Sequence, residues 1–165
     1  MKAFQTAAGK VQLLPAQTKY AAAIYQKIAE SRSDLESFLP WAKELTLKDE
    51  KDFLYREKER EFEGHPLVFI INVNGLPSGM IDIHEVNEEE RTGAIGYWLA
   101  SEYHNQGITS LAVDQLLVYA FKNLDFRSTF LEIDENNKAS QRVAEKNGFS
   151  PAGRKKNMLL FERKR

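Results

Sequence analysis

Apolar residues change period along this chain, and the changes divide it into elements. Between residues 67 and 100 the runs "LVFIINV" (67–73), "GMIDIHEV" (79–86) and "GAIGYWLA" (93–100) are rich in Ile, Val and aromatics and predict three strands. "NGLPSG" (74–79) and "NEEER" (87–91) supply the turns, so an antiparallel meander is expected. Tyr97 and Trp98 fall on opposite faces of one strand, which places one of them in the core.

Upstream, "KVQLL" (10–14) reads as a short strand closed by Pro15. From Gln17 to Glu30, Tyr20, Ala23, Ile24, Lys27 and Ile28 recur at helical spacing. "SDLESFL" (33–39) suggests another helical turn, capped by Ser33 with Glu36 three residues on, and broken by Pro40 and Trp41. The charged stretch 47–63 predicts a helix whose apolar positions are Leu47, Phe53, Leu54 and Phe62. Downstream, 107–123 predicts an amphipathic helix with Leu111, Leu116, Leu117, Tyr119, Ala120 and Phe121 as its apolar members. A strand at 128–133, a short helix at 138–147 ending on Gly148, and a last strand pair in "FSPAG" and "NMLLFER" complete the order. The result is a mixed α/β domain, expected as one unit over residues 1–165.

Composition narrows the chemistry. The 165 residues carry a net charge of −1, which argues against a general nucleic-acid binder. There is no cysteine, so disulfides, thiolate metal sites and a cysteine nucleophile are excluded. His65, His84 and His104 lack paired-ligand spacing, and no metal is expected. The first residues show no leader-like apolar segment, and no stretch approaches the roughly 20 apolar residues that span a bilayer. A cytoplasmic protein without a membrane partner is the expectation.

The turn "EYHNQGITS" (102–110) lies between the strand "AIGYWLA" and the helix "LAVDQLLVYAF". Successive N–H groups at a helix start, with the helix dipole behind them, bind anions. Gly107 permits close approach, and Thr109 and Ser110 add hydroxyls. The turn has neither the Lys-Ser/Thr of a Walker loop nor the three glycines of a dinucleotide fingerprint.

With "NKASQRVAEKNGF" (137–149), the segment "IGYWLASEYHNQGITSLAV" resembles the GNAT acetyltransferases, specifically the Rim-type N-acetyltransferases of ribosomal proteins. The family pattern Q/R-x-x-G-x-G/A meets His104, Asn105 and Thr109 as departures, while Gly107, Asn137, Ser140, Gly148 and Phe149 are retained. "LESFLPWAKELTLKDEKDFL" is similar to the Trp-containing segment of Rim proteins, so the resemblance covers about residues 10–160.

The resemblance implies a GNAT-like fold with a mostly antiparallel, splayed sheet flanked by helices, and acetyl-CoA as cosubstrate. It implies that backbone N–H groups of Gln106, Gly107, Ile108, Thr109 and Ser110 hold the pyrophosphate. Trp98 and Leu99 would bond the pantetheine arm through their backbone, and Asn137 would order the pantetheine side or cap its helix. Ser140 would assist the departing sulfur or brace the 138–147 helix. Phe38 and Trp41 would border the acceptor cleft or pack in the core of the helical N-terminal segment. A homodimer is compatible with the resemblance.

Rim enzymes commonly read Glu-Ile-Gly-Tyr-Trp, with that glutamate proposed as general base; this chain has Ala94. If Val86 faces Thr92 across the turn, His84 sits opposite Ala94 and can replace the base, with Glu85 on the other face. The expected activity is direct acetyl transfer to a protein N-terminal α-amine, including that of a ribosomal protein. The alternatives are a small-molecule amine acetyltransferase, acting on a polyamine or an antibiotic, and a non-catalytic CoA-binding regulatory module.

Overall fold

The computed structural model describes all 165 residues. Hydrogen bonds join eight strands into a mostly antiparallel sheet with helices flanking it. Two compact units share the chain, each built from two segments.

The first unit comprises Met1–Asp82 and Tyr97–Ile108. Its strands are β1 (Phe4–Thr6), β2 (Gly9–Pro15), β5 (Val68–Val73) and the first part of β6 (Leu76–Asn87). β2 pairs antiparallel with β5 from Val11↔Val73 to Pro15↔Phe69. All six residues of β5 are buried; five are apolar, and the sixth, Asn72, accepts from Gly75 N at 3.0 Å through its side-chain oxygen. β5 and β6 are joined by Asn74 (φ +51°) and Gly75 (φ +90°), two residues that tolerate left-handed backbone and so fit a tight hairpin. The turn is therefore shorter than the 74–79 expected, and β6 already begins at Leu76.

Helices α1 (Ala21–Glu30), α2 (Arg32–Leu35) and α3 (Leu47–Glu57) cover this half-sheet. Ile24 and Ile28 of α1, Leu35 of α2 and Leu54 of α3 join Val68, Ile70, Met80 and Trp98 in one buried cluster. Each fully buried side chain of this size contributes about 1.5–3 kcal/mol. α3 starts at a capping box: Thr46 Oγ1 accepts from Asp49 N at 3.2 Å, while Asp49 Oδ2 accepts from Thr46 N at 2.9 Å.

Three expectations need correction here. The 17–30 segment opens with a 3-10 turn (Thr18–Tyr20) before α1. Ser33 is not a cap, because it lies inside α2; Ser31 stands at the cap position, and its hydroxyl accepts from Ser101 N at 3.0 Å instead. α3 stops at Glu57, because Glu61–Phe62 (β3) and His65–Pro66 (β4) form a small hairpin around the left-handed Glu63 and Gly64. β1 went unanticipated: three residues carry too little periodicity to register.

The second unit comprises Ile83–Gly96 and Thr109–Arg165. In it β7 (Thr92–Leu99) runs parallel to β8 (Ser128–Asp134) through Thr92↔Ser128, Gly93↔Thr129 and Ala94↔Phe130, and the ladder ends there. β8 pairs antiparallel with β10 (Met158–Lys164), which pairs with β9 (Ser150–Lys155). α4 (Ile108–Lys122) buries Ala112, Val113, Leu116, Leu117 and Ala120. Leu111, expected on the apolar face, is exposed, because at 100° per residue it falls outside the arc those five define. α5 (Lys138–Lys146) ends at Asn147 and the left-handed Gly148, after which Phe149 returns to the core. No helix is long and apolar enough to cross a membrane.

Among the glycines of the first unit, Gly79 lies tightest against backbone. A Cβ there would overlap the Trp98 carbonyl oxygen and lie 3.0 Å from Leu99 Cα. Backbone on backbone leaves no flexible side chain to yield. Gly79→Ala is expected to destabilise the fold by about 1–3 kcal/mol, read as a lower Tm. An unchanged Tm would show that the two strands can part at no cost.

Candidate active site

The strand that ends at Leu99 feeds the turn that starts α4, and the chain twists to the left-handed side twice there. Asn105 (φ +60°) and Gly107 (φ +77°) flank Gln106. Asparagine tolerates this conformation, which is how it stands where many Rim proteins have glycine. The first four N–H groups of α4 have no acceptor within the helix. Left-handed residues just before them turn neighbouring N–H groups toward one another, an arrangement suited to an anion. A Cβ on Gly107 would meet nothing within 4 Å, so the space over the turn is open.

The side chains around the turn are tied back. Ile108 is buried and offers only its backbone. Gln106 Nε2 donates to Glu102 O at 2.9 Å. Ser110 Oγ accepts from Asn147 Nδ2 at 3.1 Å, and the same amide donates to Val143 O at 2.9 Å. Asn147 thus couples the end of α5 to the start of α4. Sequence reasoning missed it, since an Asn before Gly-Phe reads as a helix end and nothing more.

Trp98 and Leu99 are both buried. The indole of Trp98 joins the helical cluster, which settles which of Tyr97 and Trp98 is core. Ala100 N donates to Ser78 O at 2.8 Å, fixing this end of β7 against β6. Nε2 of His104 lies 2.9 Å from Leu99 O; a carbonyl only accepts, so that nitrogen carries the hydrogen. His104 occupies the family's Gln/Arg position, and here its ring already uses one of the two lone pairs of the Leu99 carbonyl.

On α5, Asn137 Oδ1 accepts from Ser140 N at 3.0 Å, so Asn137 is the N-cap. Ser140 is the third residue of the helix, and its side chain is half-buried. On β6, His84 is half-buried and directly precedes Glu85, whose φ is +48°. The strand is therefore irregular at this point, so counting back from Thr92 through alternating faces does not fix the partner of His84. Ala94 is 7% exposed and brings no carboxylate to this strand.

Phe38 and Trp41 are 42% and 44% exposed, so the alternative that they form the core of the helical segment is corrected. That core is made by their neighbours Ala42, Leu39 and Leu45. Arg32 holds the segment in place: its guanidinium donates to the carbonyls of Ala42 (2.5 Å), Lys43 (2.6 Å) and Leu45 (3.1 Å). Two aromatics are left standing out of a loop whose backbone is fixed.

Fold and turn together define the class. Residues 10–150 match the acetyltransferase (GNAT) domain family, and the chain belongs to it. Among proteins similar to it, YdaF of Bacillus subtilis (strain 168) is 33% identical over 86 residues, 52% of this chain and 47% of YdaF. The chain therefore spans about half the length of that relative. The ribosomal-protein-serine acetyltransferase of Escherichia coli (strain K12) is 25% identical over 127 residues, 76% of this chain and 71% of that protein. RimJ of Mycobacterium smegmatis, solved in complex with CoA-disulfide, superposes with a TM-score of 0.88 at 22% identity, covering 99% of this chain and 86% of that one.

Asn137→Ala removes the acceptor for Ser140 N–H and is expected to cost about 0.5–2 kcal/mol of stability. Denaturant unfolding measures it. A loss below a few tenths would mean that water replaces the cap at no cost.

Proposed function

We propose that this chain transfers an acetyl group from acetyl-CoA directly to a primary amine, and that the acceptor is the N-terminal α-amine of a protein, a ribosomal protein among them. The observation that carries the reading is the α4 turn: open space at Gly107, two left-handed residues, and helix-start N–H groups that have no acceptor within the helix, in a member of the GNAT family. The similarity to the E. coli ribosomal-protein-serine acetyltransferase supports the acceptor class.

The residues fit the cosubstrate. Backbone N–H groups of Gln106 to Ser110 would take the pyrophosphate, and backbone groups of Trp98 and Leu99 the pantetheine arm. The reaction needs a neutral amine nitrogen to attack the thioester carbonyl. The C–N bond forms, the C–S bond breaks, and the sulfur leaves as a thiolate or takes a proton. With a thiol pKa near ~8.5, that departure needs little help. Ser140, as first-turn residue of α5, is assigned to the leaving sulfur.

Proton removal is the harder part, because Ala94 provides no carboxylate. An α-amine of pKa ~8 is already roughly one-tenth neutral at pH 7, whereas a lysine of pKa ~10.4 is under about one-thousandth. The missing base thus favours an N-terminal acceptor. His84 is assigned as the replacement base, directly or through one water, because a free imidazole titrates near ~6.5.

Three variants test these assignments. Gly107→Ala places a methyl in the open space and leaves the helix start otherwise intact. It should raise the acetyl-CoA Kd about tenfold or more, at a stability cost of about 1–2 kcal/mol for its positive φ. Calorimetry showing an unaltered Kd would remove the turn from the cosubstrate site. In pH profiles of acetyl transfer, His84→Ala should lower kcat/KM most at pH 6–7 and recover as the amine deprotonates itself. Ser140→Ala should instead lower kcat at every pH with the acetyl-CoA Kd preserved. Wild-type rates for either variant across the range would strike that residue from the mechanism.

A further inference from the structure

Two residues at the end of α1 reach out of their helix to the segment that leads into the α4 turn. Ser31 N donates to Lys27 O at 3.1 Å, which sets the two one helical turn apart on one face. Ser31 Oγ accepts from Ser101 N at 3.0 Å, and Lys27 Nζ donates to Glu102 Oε1 at 2.7 Å. Consecutive residues of the 3-10 turn Ser101–Tyr103 are thus held from one helix, the first by its backbone and the second by its side chain.

The serine gives up its local use to make this contact. Ser31 stands at the N-cap of α2, where a hydroxyl ordinarily accepts from an N–H of its own helix, yet it makes no such cap. It is 4% exposed and serves a residue 70 positions on. Ser101 needs the partner, because the first N–H of a 3-10 turn has no acceptor inside the turn. Its own hydroxyl is buried without a hydrogen-bond partner, so its N–H, not its side chain, anchors it. Lys27 is mostly buried, and its bond to Glu102 raises the ammonium above its ordinary value, so it stays charged.

Short bonds carry these two fixed points onward. Ser101 O accepts from His104 N at 3.1 Å, and Glu102 O accepts from Gln106 Nε2 at 2.9 Å. Gln106 lies between the left-handed Asn105 and Gly107. One chain of bonds therefore runs from Ser31 through Ser101 to His104, and another from Lys27 through Glu102 to Gln106.

We propose that Lys27 and Ser31 are positioning residues: α1 clamps Ser101 and Glu102, and the clamp aims the backbone N–H groups of Gln106 and Gly107 at the pyrophosphate. The proposal rests on the acetyl-CoA reading of the turn and adds the residues that hold it in shape. A turn left loose would have to be ordered by the ligand, and affinity would fall by that entropy.

Calorimetry with acetyl-CoA tests the clamp, and Glu102→Ala is the most telling variant. The Glu102 side chain is half exposed, so its loss should leave the fold in place. Charge alone predicts that removing a carboxylate near an anion site tightens binding; the clamp predicts a Kd raised at least fivefold. Lys27→Met should weaken binding by a similar factor. The double variant Lys27→Met/Glu102→Ala should be no weaker than either single, because both remove one bond. Charge alone would instead return the double variant to the wild-type Kd. Ser31→Ala should raise both Kd and the acetyl-CoA KM at least fivefold, with kcat at saturation within twofold of wild type. Amide exchange at Gln106 and Gly107 in the unliganded protein should quicken in Ser31→Ala and Glu102→Ala alike. A Kd within twofold of wild type in either variant, whatever its Tm, overturns the proposal, as does tighter binding by Glu102→Ala. Should Gly107→Ala weaken binding while Glu102→Ala does not, the clamp alone fails; should Gly107→Ala bind as wild type does, the reading of the turn fails and the clamp with it.

Discussion

The close approach of Gly79 to the Trp98–Leu99 backbone is the constraint on which the first unit depends. A side chain at 79 would strike main chain rather than a movable group, so β6 and the end of β7 meet only because the residue is glycine. That contact sets where Trp98 stands, and Trp98 in turn joins α1, α2 and α3 to the sheet within one buried cluster. It also fixes where the strand stops, and hence where the left-handed turn at Asn105 and Gly107 begins. A site made mainly of backbone needs such rigidity, because N–H groups cannot be re-aimed by rotating a side chain. The three departures from the family motif, at residues 104, 105 and 109, change side chains and leave the backbone N–H donors in place.

The elements that were legible in the sequence are those whose side chains announce a period over many residues. β5 reads as a strand because all but Asn72 of its buried residues are apolar, and α5 ends where Gly148 says it should. The illegible parts were decided by distance in space. Ser31 looks like any helix-flanking serine until its hydroxyl meets Ser101 N, seventy positions later. Arg32 reads as a surface cation, yet it closes the loop that exposes Phe38 and Trp41. For the site, the turn at 104–110 and the Asn137 cap were visible as motifs. Asn147 was not, since its partner Ser110 lies 37 positions away; the grip of His104 on Leu99 is local but leaves no pattern in the residue types.

His84 shows the limit of counting. Assigning its partner assumed that β6 alternates regularly up to the turn, and the left-handed backbone at Glu85 breaks that alternation. A single residue at positive φ re-aims its neighbours, as bulges beside active sites commonly do. The chemical case for an imidazole base near neutrality is independent of register; the geometric case must come from β6 as it is actually bent.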